Sequence, residues 1–242
     1  MVTDLSPRPD VTPRPTRRQD VILGAVVAVE ALLVLAPVVI LGSAISWPTT
    51  LGDPAAIALP RLLENEGAVR FGYILYLLYS VLLLPVGIVL ARRLIPSPTV
   101  AAVAAGFIAV SAALRGIGIV RWLGAALPMA QDWQNADAAG RTAIAASFET
   151  LNNYGGTIGE ELGVSLMTVG FLIAIVHGAR LLPTALRVAG AVVALLAAAP
   201  AVELAGFDAG GALVTLSSVA VLLWLLAVAV WLIRAGGRTR RS

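Results

Sequence analysis

The chain has 242 residues, 59% of them hydrophobic and only 13% charged, with a mean hydropathy of +0.90. A soluble domain carries about a quarter charged residues, so an ordinary globular fold is excluded. The apolar runs recur at lengths that cross roughly 30 Å of hydrocarbon, and they lack the alternation of barrel strands, so the fold class is all-α, a polytopic membrane protein.

In chain order, residues 1–20 are rich in Pro and Arg without apolar periodicity and read as a disordered cytoplasmic tail. Six spans are expected at about 21–46, 70–91, 99–123, 155–178, 188–206 and 211–234, followed by a basic tail over 235–242. In the first long loop, Asp53 and Pro54 of "DPAAIALPRLL" predict the N-cap and first position of a short surface helix. In the second, Ile144, Phe148 and Leu151 fall at i, i+4 and i+7, an amphipathic face suited to packing on the spans or lying on the outer leaflet. Arginine is concentrated on one side: Arg8, Arg14, Arg17 and Arg18, then Arg92 and Arg93, Arg180 and Arg187, and Arg234, Arg238, Arg240 and Arg241. The other side pairs three arginines with a majority of acidic residues. Arginine kept inside places both termini in the cytoplasm of a bacterial plasma membrane.

Five ionisable residues fall deep within spans: Glu30, Arg115, Glu160, Glu161 and Glu203. A charge there costs at least a few kcal/mol, so each needs compensation or a use. At 1.5 Å per residue, Arg115, Glu160 and Glu203 share one level below the outer surface, while Glu30 sits alone near the midplane. On the fourth span, Gly155, Gly159 and Gly163 form a seam for close helix approach. Glu160 points away from an apolar stripe of Ile158, Leu162, Val169, Ile173 and Val176. Arg115 shares its face with Ala104, Ser111, Gly118 and Trp122, and is expected to be neutralised by Glu160 with Glu161 or Glu203. These carboxylates outnumber one deep arginine, so one of Glu160, Glu161 and Glu203 is expected to be held as neutral acid, and Glu30 as well. Arg121, beside Phe107, Val110 and Leu114, is expected to snorkel to headgroups. Asn152, Asn153 and Tyr154 form a polar lip above Glu160, and the five tryptophans read mostly as interface anchors.

The arrangement running from "ALRGIGIVRWLGAALP" through "FETLNNYGGTIGEELG" to "GARLLP" and "VELAG", with Gly-Glu-x-x-Gly at Gly159, Glu160 and Gly163, resembles the bacterial membrane family named domain of unknown function 4386. The resemblance implies six helices and a plasma-membrane location, and supplies no activity.

Function is narrowed mostly by exclusion. There is no Cys, no Lys and one histidine, His177, which removes thiol chemistry, a Schiff-base lysine and bis-histidine haem ligation; no cofactor and no metal are expected. The net charge of +3 follows topology and does not point to nucleic acid. Four readings remain: a purely structural charge network; a ligand- or proton-linked binding or transport site for an unidentified small ligand; a membrane-embedded acid/base enzyme using Glu160 or Glu161 on a lipid-like substrate; and a sensor or partner subunit. Transport through only six spans makes a homodimer the expected assembly.

Overall fold

A computed structural model describes residues 17–178, 181–207 and 211–238. Among these there are helices and turns and no strand: α1 (Arg17–Ile45), α2 (Ala55–Glu64), α3 (Glu66–Leu94), α4 (Pro98–Arg121), α5 (Leu127–Asn135), α6 (Ala138–Gly156), α7 (Gly163–His177), α8 (Thr184–Ala198) and α9 (Gly211–Arg238). Four continuous helical stretches are long and apolar enough to cross a membrane: Arg18–Ile45, Glu66–Leu94, Pro98–Asn135 and Ala138–His177. Thr184–Ala198 and Val219–Ala235 are shorter apolar helices. This composition suggests a membrane-embedded protein.

The long helices close into a ring. α1 packs on α3, α3 on α4, α4 on α7, α7 on α8, α8 on α9, and α9 back on α1. Close approach is built from small residues, since a methyl group added at Gly24 would meet Ile233 Cγ1 at 2.7 Å and the Ala229 carbonyl at 2.9 Å. One end of the ring is filled by Leu23, Val27, Leu90, Leu94, Leu225, Val228 and Leu232, all buried. There Asp20 and Arg93 pair at 2.8 Å.

The other end carries a cap with its own apolar core. α4 and α5 join through a π-helical turn, Trp122–Ala126, and α6 and α7 through another, Thr157–Leu162. The two rods hold 38 and 40 residues, or about 57–60 Å, roughly twice the hydrocarbon thickness. Their extensions pack with α2 around Leu59, Leu62, Trp122, Leu127 and Phe148. The sequence reading separates the helix at 137–153 from the fourth span; the chain instead runs through without a break, because the Asn152–Gly156 stretch holds no proline and its small residues fit a helix packed on α4. Phe148 and Ile144 face the cap, so this helix packs on protein as the first of the two expectations has it.

Other boundaries also differ. α1 begins at Arg17, four residues before the expected span, and Asp20 is already buried; residues 1–16 lie outside the described residues. α2 starts one residue late. Pro54 holds the cap position, and Asp53 pairs with Arg61 at 2.8 Å instead of capping. α8 gives way at Ala198 to a 3-10 stretch, Ala199–Ala205, where Pro200 lacks the N–H to continue the helix. α9 runs on to Arg238. Arg180 and Asp208 lie outside the described residues.

Candidate functional site

A cavity of about 700 Å³ lies inside the ring at the capped end. Val34, Pro37 and Val38 of α1, Tyr76 and Tyr79 of α3, and Arg115 and Arg121 of α4 line it on one side. Asn152, Asn153, Glu160 and Glu161 from the α6–α7 rod, Glu203 after α8, and Ser217 of α9 line the remainder. Six residues singled out from sequence therefore meet around one space: Arg115, Glu160, Glu161, Glu203, Asn152 and Asn153. Tyr154 does not join them; it points outward and is 66% exposed.

The glycine seam is where α4 meets the rod, and it decides how both arginines sit. Gly159 faces Gly118, where an added methyl group would come within 2.9 Å of the opposing Cα. One step toward the cap, Gly155 leaves room for the Arg121 stem; one step the other way, Gly163 leaves room for that of Arg115. A larger side chain at either glycine would occupy the arginine's own path.

Two expected roles are corrected here. Arg121 does not snorkel: it is 6% exposed, and its Nη2 donates to Glu160 Oε1 at 2.9 Å. Arg121 also lies over the Trp122 ring, 5.0 Å from its centroid. The apolar neighbours at helical spacing place it on a lipid side, but α6 continues above α7 and covers that side. Glu160 is thus engaged by Arg121, and Arg115 has no carboxylate within ion-pair distance among the described residues. The Arg115 Nη1 donates to the Tyr79 hydroxyl at 3.3 Å and toward Met167 Sδ at 3.4 Å; its Nη2 donates to the Tyr76 hydroxyl at 3.5 Å. The guanidinium carbon lies 4.6 Å from the Tyr79 ring centroid and 5.5 Å from that of Tyr76, so ring quadrupoles supply part of the stabilisation a carboxylate would.

Arg115 is 5% exposed and still borders the cavity. On the rod beside α4, Glu161 accepts a bond from Thr157 at 3.4 Å, and Glu203 lines the same cavity. The Asn152 amide donates to the Leu51 carbonyl at 2.7 Å, tying α6 to the turn after α1, while its Oδ1 is buried without a partner. Glu30 is 2% exposed, and neither of its carboxylate oxygens has a hydrogen-bond partner. It stands one turn below Val34 on the same face of α1, under the cavity floor.

A sequence model of the family described as Domain of unknown function (DUF4386) matches residues 22–236. The chain belongs to this family. No curated protein and no solved structure matches it. The matched region takes in the cap, every cavity-lining residue and all of the ring but the chain-terminal ends of α1 and α9.

Sequence reasoning missed Tyr76, Tyr79 and Trp47 as site residues. A signal existed in "YILYLLY", where Tyr73, Tyr76 and Tyr79 recur every three residues along one side of an otherwise aliphatic span. Tyr73 stacks on Trp122 at 5.3 Å, and Trp47 packs edge-on against Tyr76 at 5.9 Å. Trp47, Trp122 and Trp224 are interior residues, not interface anchors; Trp224 donates its Nε1–H to the Leu186 carbonyl at 3.0 Å.

Proposed function

We propose that this chain is a six-span protein of the bacterial plasma membrane that binds a small anionic ligand, entering its cavity from outside, at Arg115. The observation that carries this reading is a buried, permanently charged guanidinium held at a cavity wall by two tyrosines, with no carboxylate within ion-pair distance among the described residues. Such a charge is costly when unpaired, and a bound carboxylate, sulfate or phosphate group relieves that cost. The planar fork of arginine suits bidentate contact with each of these groups.

Six spans are supported by length. α8 with its 3-10 continuation covers about 36 Å, and α9 about 42 Å. The orientation follows the arginine distribution, with both termini and the apolar seal inside and the cap outside. Binding is the first activity; movement of the ligand across the bilayer would require the leucine-rich seal to part.

The test is quenching of Trp47 fluorescence in purified, detergent-solubilised protein titrated with sulfate and, separately, benzoate. Saturable quenching by either anion that disappears in Arg115→Met is the expected result. Equal quenching in wild type and variant would defeat the proposal.

A further inference from the structure

Two adjacent carboxylates, Glu160 and Glu161, both line the cavity. In an α-helix neighbours point about 100° apart, which would turn one of the two away. The turn that holds them, Thr157–Leu162, is π-helical. Its i to i+5 bonding places more residues in each turn and splays neighbours less, a device frequent at functional sites. Here it gives the pair different partners. Glu160 accepts from Arg121 at 2.9 Å, so those two charges offset each other. Glu161 is half-buried, accepts from the Thr157 hydroxyl at 3.4 Å, and has no ion-pair partner among the described residues.

Arg115 is its counterpart of opposite sign. The Arg115 stem passes Gly163 and its Nη1 reaches Met167 Sδ at 3.4 Å, so the guanidinium lies toward the sealed end of the rod. The Glu161 carboxylate turns the other way, toward the cap, where Thr157 meets it. Glu161 and Met167 are six residues apart in the chain, about 9 Å along the rod, which is too far for Arg115 and Glu161 to pair directly. Val164 lies between them on the rod, and Val34 and Val38 of α1 and Val221 of α9 add further apolar wall.

We propose that the ligand is a small zwitterion of the amino-acid class, its carboxylate held by Arg115, its ammonium by Glu161 and its aliphatic carbons against the valines. This rests on the anion-binding reading above. One cation and one anion border a single cavity, and each lacks an ion-pair partner among the described residues. A ligand with both charges compensates the two together. A simple anion would satisfy Arg115 and add a second negative charge to the space that Glu161 already borders. The ammonium of an amino acid turns that repulsion into a charge-assisted hydrogen bond.

The experiment is isothermal titration calorimetry of the full chain in detergent near neutral pH. Three probes share a five-carbon skeleton: pentanoate, 5-aminopentanoate and 2-aminopentanoate. Both amino acids carry both charges at this pH, far apart in the first and close together in the second. One of the two should bind about tenfold or more tighter than pentanoate, as expected for one further charge-assisted contact. Which isomer gains reports how far apart the bound charges lie. Glu161→Gln should remove the gain. The inference is overturned if pentanoate binds as tightly as both amino acids, or if the gain survives in Glu161→Gln. The wild-type comparison needs no variant to fold. Pentanoate binding that is lost in Arg115→Met, with no gain from an added ammonium, sinks this inference alone. Failure of all three probes overturns it too, and if sulfate and benzoate also fail, the reading beneath it falls as well.

Discussion

Glu160 and Arg121 are tied to each other, and Arg115 is tied to no acid among the described residues; the two arginines should answer mutation in opposite ways. Glu160→Gln strands Arg121, whose side chain is 4% exposed, and the loss should approach the 3–5 kcal/mol typical of breaking one side of a buried pair. Arg121→Met leaves a carboxylate that is 32% exposed at the cavity and should cost less, and the double variant should recover part of the Glu160→Gln loss. Arg115→Met strands no carboxylate and should be neutral or stabilising in the same thermal melts in detergent. A drop for Arg115→Met as large as that for Glu160→Gln would contradict the pairing described. At this scale the sequence was partly legible. The buried face of Arg115 follows from small residues at helical spacing, and Ala104, Ser111, Gly118 and Trp122 are all interior. Arg121 was not legible, since its side depends on α6, an element whose continuity with α7 no local pattern announces.

Between elements, the decisive contact is glycine on glycine. Gly159→Ala drives a methyl group against the Gly118 backbone, which has no rotamer to yield, so about 1–3 kcal/mol of overpacking is expected. Gly106 of α4 has open space where a Cβ would go, so Gly106→Ala should be neutral or slightly stabilising through helix propensity. Melting temperatures of the two variants against wild type check both, and equal shifts would dismiss the seam. The seam itself was readable in the four-residue repeat of Gly155, Gly159 and Gly163. Its partner was not, because a spacing reveals that a helix approaches closely without saying which one.

For the molecule as a whole, hydropathy revealed where helices lie far better than where they stop. Caps and termini are set by contacts made at a distance: α1 begins early because Asp20 meets Arg93, 73 residues later in the chain. The absence of Cys gives a clean test of orientation. A single cysteine at Asn153, exposed at the cavity rim, should react with a membrane-impermeant maleimide added to intact cells. One at Ser97, exposed in the turn between α3 and α4, should react only after permeabilisation. The reverse pattern would turn the cavity toward the cytoplasm and overturn the proposed direction of entry.

The packing of α1 against α9 bears on how the protein is made. α1 is synthesised first of the described helices and finds its most extensive partner in the last. Until α9 is inserted, roughly 170 residues later, the ring is an open crescent and α1 lacks the helix it packs on most. A nascent chain must therefore keep an incompletely packed α1 in the bilayer through most of its own translation. Truncation before Gly211 leaves that packing permanently incomplete, which makes the unfinished bundle a natural substrate for membrane quality control.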